Sequence, residues 1–315
     1  MTVTPRTRPF RFGVQTGSSR PEQSWGDFAR EVEALGYATL TCPDHFVDQE
    51  LAPVVALSIA AAATTNLRVG ALVFDNDYKH PAILAKEMAT LDQLSNGRVE
   101  LGIGAGWMRS DYDALGLPYD AAGARIDRMI EGLDVMEQCF APGAFSYTGE
   151  HYTITEYDAL PKPAQAHIPI NIGGGGKRVL TIAAQRADII GINPNLRKGE
   201  ITADAAQDSL EHMWQQKLEW IREAAGARFN DLELQIRSFM VAVTDDRMGL
   251  AEVMAPAFGV SPEDALASHA VLAGTIEELI DQCIEGRERY GVSYWIVGED
   301  VFREFAPVVA RLAGT

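Results

Sequence analysis

Short apolar runs alternate with longer segments of helical periodicity along the chain. The runs are rich in Val, Ile and Leu, which is typical of parallel strands buried on both faces. The predicted strands are Phe10–Thr16, Tyr37–Thr41, Leu67–Val73, Arg98–Ile103, Ile168–Ile172, Asp188–Ile192, Leu234–Val243 and Ser293–Val297. The predicted helices are Trp25–Leu35, Pro53–Thr64, Pro81–Leu94, Ala122–Gln138, Lys177–Arg186, Ala206–Ala225, Thr275–Tyr290 and Glu299–Leu312. Eight strands, each followed by a helix, predict a closed α/β fold, the (β/α)8 TIM barrel.

Turn residues support several of these boundaries. Gly36 stands where the first helix ends, and the run Ser95–Arg98 contains an Asn-Gly pair after the third. Pro81 suits a first helical turn, where its missing N–H is no loss. Four connections are too long for tight turns and are expected to act as lids or substrate walls, most of them at the carboxyl ends of strands. They are Asp111–Ala121, Ala141–His167, Asn193–Asp204 and Thr244–Gly274.

Length and composition narrow the class of protein. The 315 residues suit one barrel with insertions, so we expect a single domain over residues 1–315. The net charge of −17 opposes nucleic-acid binding. Cys42, Cys139 and Cys283 are widely spaced and predict neither a disulfide framework nor a zinc site. The N-terminus lacks the apolar core of a signal peptide, and no apolar run is long enough to span a membrane, so the sequence predicts a soluble cytoplasmic protein.

An adjacent carboxylate and imidazole follow the second predicted strand. Asp44 and His45 would point into the mouth of the barrel, where barrel active sites are built. Histidine titrates near neutral pH and can exchange a proton with a substrate or cofactor, while Asp44 could orient a ring. The competing interpretation is a histidine held by backbone groups.

Glycines follow the fourth and fifth predicted strands. Gly102, Gly104 and Gly106 allow close approach of a ring or phosphate, but they do not form a dinucleotide fingerprint, and glycine also serves barrel packing. The run Gly173, Gly174, Gly175 and Gly176 stands directly before a predicted helix that begins with Lys177 and Arg178. Free N–H groups at a helix N-terminus, together with two cations, predict an anion site in this acidic protein.

The block HPAILAKEMATLDQLSNGRVELGIGAGW, His80–Trp107, resembles the luciferase-like flavin monooxygenases and deazaflavin-dependent oxidoreductases. The strand LRVGALVF before it and the segment IPINIGGGG after it extend the resemblance, which runs from Phe10 to the segment GVSYWIVGED near the C-terminus. The Asp-His pair resembles the deazaflavin branch. The resemblance implies a coenzyme F420-dependent oxidoreductase, forming a dimer or larger homo-oligomer and acting on a small organic substrate.

The resemblance also implies roles for individual residues. His45 would be the catalytic acid or base, and Asp44 would contact the cofactor ring. A non-prolyl cis peptide near Leu72 and Val73 would back that ring. The cofactor phosphate would lie at Gly173, Gly174, Gly175 and Gly176 with Arg178, and Ala105, Gly106 and Ser110 would contact the ribityl and phosphate side. Some deazaflavin dehydrogenases carry a Glu where this chain has Trp107, which disfavours a sugar phosphate and favours an apolar or aromatic substrate.

Three alternatives remain open at this stage. The first is a two-component monooxygenase that uses reduced FMN and oxygen, since it shares the barrel and the glycine loop. The second is a barrel that binds a flavin without catalysis, and the third is an NAD-dependent barrel reductase. His151, His167, His212 and His269 are dispersed and predict no metal site, and His80 is expected to anchor a loop.

Overall fold

The computed structural model describes residues 8–47, 49–268 and 270–315. The N-terminal segment considered as a signal peptide (residues 1–7) and His269 lie outside the described residues. The strands are β1 (Arg11–Gln15), β2 (Thr39–Cys42), β3 (Arg68–Ala71), β4 (Phe74–Asp75), β5 (Leu101–Gly104), β6 (Phe145–Thr148), β7 (Thr153–Tyr157), β8 (Ile170–Gly174), β9 (Ile189–Ile192), β10 (Glu233–Arg237), β11 (Met240–Val243), β12 (Val271–Gly274) and β13 (Val292–Gly298).

The helices pack around these strands. They are α1 (Trp25–Ala34), α2 (Pro53–Ala63), α3 (Pro81–Leu94), α4 (Arg109–Leu115), α5 (Ala122–Phe140), α6 (Lys177–Arg186), α7 (Ala203–Gln207), α8 (Glu211–Ala225), α9 (Arg247–Met254), α10 (Pro262–Ala267), α11 (Ile276–Tyr290) and α12 (Phe302–Leu312). Across the part of the chain that the structure describes, no helix is both long and apolar enough to cross a membrane.

Nine strands form one nearly closed parallel sheet in the order β3-β2-β1-β13-β10-β9-β8-β5-β4. β3 and β4 are two halves of one barrel strand, interrupted at Leu72 and Val73, so the sheet has the eight barrel positions that the sequence predicts. β2 and β13 are buried at every residue, as expected of strands covered on both faces. The predicted TIM barrel is confirmed.

Local boundary predictions are also confirmed. Gly36 has a φ of 87° directly after α1, a conformation that favours glycine. Pro81 occupies the first turn of α3, and the His80 ring accepts a hydrogen bond from the Ala82 amide at 3.2 Å. His80 therefore caps a helix, in agreement with its expected anchoring role.

An ion network closes the amino end of the barrel. Arg11 on β1 donates from Nη1 to Glu100 at 2.5 Å and from Nη2 to Glu233 at 2.7 Å, and Arg68 on β3 donates from Nε to Glu100 at 2.8 Å. Burial alone would raise the pKa of Glu100, but the two arginines outweigh it and lower that pKa. These contacts join four barrel positions at the end opposite the one where barrel active sites lie.

Three predicted elements differ from the structure. The strand Leu234–Val243 is two strands, because the chain leaves the barrel after Arg237 and β11 pairs in parallel with β12. The helix Ala206–Ala225 is broken into α7 and α8 around Asp208, whose carboxylate accepts hydrogen bonds from the Asn195 amide and from Lys217. The last helix begins at Phe302 rather than Glu299.

The long connections contain regular structure that periodicity did not reveal. Residues 244–270 hold α9 and α10, and β12 follows directly. Residues 145–157 form the antiparallel hairpin of β6 and β7, which follows a helix rather than a barrel strand. The connection before α5 contains α4, and the one after β9 contains the start of α7. These elements are short, so their apolar positions are too few to define a period.

Candidate functional site

A cavity of about 820 Å³ lies where the barrel strands end. Its wall includes Gln15, Gly104, Gly174 and Arg237, the last residues of β1, β5, β8 and β10. Most predicted site residues line it together: His45, Asp44, Leu72, Val73, Ala105, Gly106, Gly173, Gly174, Gly175, Gly176 and Arg178. Ser110 does not line it, because this residue is exposed in the first turn of α4.

His45 is held by a carboxylate that sequence reasoning missed. Its Nδ1 lies 2.6 Å from Oδ2 of Asp111, a fully buried residue of α4. The Phe46 and Val47 amides donate to the other carboxylate oxygen at 3.0 and 2.8 Å. The pair is separated by 66 residues, so nothing in the sequence around His45 points to it.

The charge on Asp111 determines which nitrogen of the His45 ring carries the hydrogen between the two side chains. Burial alone would raise the pKa of Asp111, but hydrogen bonds from Val47, His45 and Phe46 outweigh it and lower that pKa. An ionised carboxylate only accepts hydrogen bonds, so Nδ1 of His45 carries a hydrogen and donates it to Asp111. Among the described residues Nε2 has no hydrogen-bond partner, which leaves it available to a ligand in the cavity.

Trp107 forms the wall beside this histidine. The two rings meet edge to face with their centroids 5.5 Å apart. The Trp107 carbonyl accepts a hydrogen bond from Tyr119 at 2.8 Å, which fixes the segment after the glycines of β5. The cavity therefore presents an indole, with no carboxylate, at the position that sequence comparison singled out.

Two further carboxyl groups belong to residues that line the same cavity. Asp44 is buried and accepts a hydrogen bond from the Asp75 amide at 3.2 Å. Burial raises the pKa of Asp44, and it raises the pKa of Asp75 to about 7. Asp75 accepts a hydrogen bond from Tyr112 at 2.9 Å and lines the cavity. It was not predicted, because a carboxyl group after a two-residue strand carries no signal in sequence.

The Leu72–Val73 peptide bond is cis, as the family resemblance implies. Gln15 donates from Nε2 to the Leu72 carbonyl at 2.8 Å. A Cβ on Gly102 or Gly104 would lie within 3.2 and 2.8 Å of the Val73 side chain. The glycines of β5 thus make room for the Val73 side chain, while Leu72 and Val73 both face the cavity.

The glycine run meets the start of α6. Gly176 precedes the helix and provides no side-chain cap, so the first-turn N–H groups have no side-chain partner from the capping position. A Cβ on Gly175 would lie 2.4 Å from the Asn193 carbonyl oxygen, which shows how closely the next loop packs. Buried Lys217 holds that loop by donating to Asn193 at 2.9 Å and to Asp208 at 2.6 Å.

The cations near this run are differently placed. Arg178 lines the cavity, but it also forms an ion pair with Asp127 at 2.5 Å. Lys177 lies over the Trp220 ring, 5.9 Å from its centroid, and does not line the cavity. Within residues 8–47, 49–268 and 270–315, no group of three His, Cys, Asp or Glu side chains is placed to hold a metal ion.

The parallel barrel carries a histidine–carboxylate pair and a run of glycines, Gly173–Gly176 (the glycine cradle), at its strand ends. This is the arrangement of a TIM-barrel active site. The profile described as luciferase-like monooxygenase matches residues 8–259, and the chain belongs to that family. Proteins of that family are flavin- or deazaflavin-dependent oxidoreductases and monooxygenases.

The names of similar proteins include an FMNH2-dependent enzyme and a coenzyme F420-dependent enzyme. The chain is 36% identical over 156 residues to an uncharacterised protein of Mycobacterium tuberculosis, covering 50% of this chain and 54% of the relative. It is 28% identical over 200 residues to an FMNH2-dependent dimethylsulfone monooxygenase of Pseudomonas putida, covering 62% and 51%. The chain thus spans about half the length of these curated relatives.

The solved coenzyme F420-dependent tetrahydromethanopterin reductase of Methanopyrus kandleri superposes with a TM-score of 0.76, at 19% identity over 97% of this chain and 99% of that one. At this identity the match establishes the fold.

Proposed function

We propose that the chain is a coenzyme F420-dependent oxidoreductase that transfers a hydride between the deazaflavin and a small organic substrate. The observation that carries the proposal is the His45–Asp111 pair. His45 lines the same cavity as Leu72 and Val73, and its Nε2 has no hydrogen-bond partner among the described residues. An imidazole oriented by a carboxylate can accept a proton from an alcohol in its neutral form and donate one to a carbonyl oxygen in its protonated form.

The residues present fit a phosphorylated tricyclic cofactor. Leu72 and Val73 offer an apolar surface for a ring, and Asp44 would contact its edge. Gly176 lies open on the cavity side, since an added Cβ would meet no atom closer than 3.5 Å, while at Gly173 it would meet the Asn193 side chain at 3.3 Å. The N-terminus of α6 would accept the phosphate, with Arg178 nearby and Ala105 and Gly106 along the connecting side. Ser110 is not part of this proposed site.

The coenzyme supplies a ring carbon that gives or takes the hydride. His45 would move the accompanying proton at Nε2, and Asp111 would hold the ring and stabilise its protonated form. Trp107 and the residues above the barrel would exclude water from the reacting atoms. The described chain would act as one domain and assemble as a homo-oligomer, as the resemblance implies.

Turnover in the presence and absence of oxygen tests the reaction type. We expect reduced F420 to be oxidised under nitrogen when small ketones, aldehydes or alkenes are added, as followed by the return of the deazaflavin absorbance. The second candidate is the monooxygenase reaction, which the FMNH2-dependent relative favours. Substrate-dependent oxygen uptake with reduced FMN, combined with no reaction of F420 under nitrogen, would contradict the proposal.

A further inference from the structure

Arg237 is a cavity-lining cation without an ion pair in the described chain. It ends β10 and is partly buried, and it differs from each of the other three arginines of the cavity wall. Arg178 pairs with Asp127, and Arg125 donates to the backbone carbonyls of Ala105, Gly106 and Asp120. Arg197 also lines the cavity but is exposed to solvent.

The contacts of Arg237 position it and leave donors over. Nε donates to Oε1 of Gln15 at 2.8 Å, and Nη1 donates to the Ser238 carbonyl. Since a guanidinium has five N–H groups, three have no partner among residues 8–47, 49–268 and 270–315. Burial lowers the pKa of Arg237 to about 10, with Asp300 opposing this, so the side chain is charged at neutral pH.

Gln15 connects this cation to the proposed ring site. Its Nε2 donates to the Leu72 carbonyl, and its Oε1 accepts from Arg237. One glutamine side chain therefore spans the floor of the cavity between the cis peptide and the guanidinium. A ligand group bound at Arg237 would therefore be separated from the Leu72 backbone by the length of one glutamine side chain.

The cavity wall that adjoins Arg237 is apolar. It is built by the segment that leaves the barrel after Arg237, from β11 to β12. Its large apolar lining residues are Phe239, Met240, Leu250, Met254, Val260 and Leu266. A partly buried cation next to such a wall is suited to a ligand with one charged end and one apolar end.

We propose that Arg237 anchors the substrate, and that this substrate is a monocarboxylate with an apolar chain. The inference rests on the proposed function, whose organic substrate it specifies. Asp300 acts on Arg237 without forming an ion pair with it. A ligand carboxylate would supply a directly bound counter-charge, and its two oxygens match the paired donors of a guanidinium. The apolar chain then lies along the wall from Phe239 to Leu266.

Binding of octanoate and its neutral analogue octanamide tests the inference on purified cofactor-free protein by titration calorimetry. We expect octanoate to bind about tenfold or more tightly than octanamide. Arg237→Gln removes this preference and leaves octanamide affinity unchanged, while Arg237→Lys retains part of it because the charge remains. The matched control is Arg197→Gln, which removes another cavity cation and leaves the preference intact.

Several results would overturn the inference. These are equal affinities for the two probes, no saturable octanoate binding below about 5 mM, an unchanged preference in Arg237→Gln, or an equal loss in Arg197→Gln. Thermal unfolding shows whether each variant is folded. The comparison of octanoate with octanamide on the wild-type protein tests the inference without any variant. A parallel F420 titration separates the two proposals, because Arg237→Gln should bind F420 like the wild type. Loss of F420 affinity with the octanoate preference retained would instead assign Arg237 to the cofactor.

Discussion

At the scale of single residues, the proposed proton transfer depends on Nε2 of His45. Replacing His45 by Asn keeps a polar side chain but removes the titrating nitrogen. We expect single-turnover rates to fall by about 10² to 10⁴, the usual contribution of a positioned acid or base. Cofactor affinity, measured by fluorescence, should stay within about twofold, since binding arises elsewhere in the cavity. Full turnover in this variant would remove His45 from the chemistry.

Asp111 acts through His45, so its variant should show a different signature. Asp111→Asn keeps the shape but cannot stabilise a protonated imidazole, and we expect a rate loss of about 10- to 100-fold. The lowered pKa of Asp111 also contributes stability that is present above its unfolded pKa and is lost as the pH falls through its folded value. Urea unfolding should therefore show that the advantage of the wild type over the variant shrinks below about pH 4. A pH-independent difference would contradict this assignment.

Asp75 should show the opposite dependence on pH. Because burial raises its pKa to about 7, the folded protein retains a proton that the unfolded chain has released. Its contribution to stability is full below the unfolded pKa of 3.8 and is lost as the pH rises to about 7. Asp75→Asn has no such proton, so its stability relative to the wild type should increase between pH 4 and pH 7. A flat difference in urea unfolding over that range would mean that Asp75 is not buried in this way.

At the scale of secondary-structure elements, the ion network around Glu100 and the glycine cradle lie at opposite ends of the barrel. Glu100→Gln removes the buried carboxylate that pairs with the partly buried Arg11 and Arg68, and we expect a loss of about 3 kcal/mol of unfolding free energy. Asp27→Asn removes an exposed ion pair with Arg30 on α1 and is the matched control, with no measurable change expected. Equal effects of the two variants in denaturant titrations would contradict the assigned role of the network.

The glycine cradle can be tested in the same way. Gly175→Ala places a Cβ against the Asn193 carbonyl, so we expect about 1 to 3 kcal/mol of destabilisation. In Gly176→Ala the nearest atom lies 3.5 Å from the new Cβ, so its unfolding transition should match that of the wild type. If both variants melt alike, the close packing of the 193–195 loop is not what requires glycine at Gly175.

At the scale of the whole molecule, the barrel could be predicted because its strands are buried apolar runs at regular intervals. The cis peptide and the predicted site residues that line the cavity could be named in advance because the family resemblance implies them. Asp111 and Asp75 could not, since long-range pairing and burial leave no local pattern. The same holds for β11, which leaves the barrel although the sequence predicts a single strand, Leu234–Val243, and for the exposed position of Ser110.

The proposed function requires that this barrel bind a deazaflavin. Direct titration with oxidised F420, and separately with FMN, tests whether it does. Following cofactor fluorescence, we expect F420 to bind with micromolar or tighter affinity, about −8 kcal/mol or better, and FMN to bind at least about tenfold more weakly. Preferential binding of FMN would contradict the account and would favour the oxygen-dependent monooxygenase.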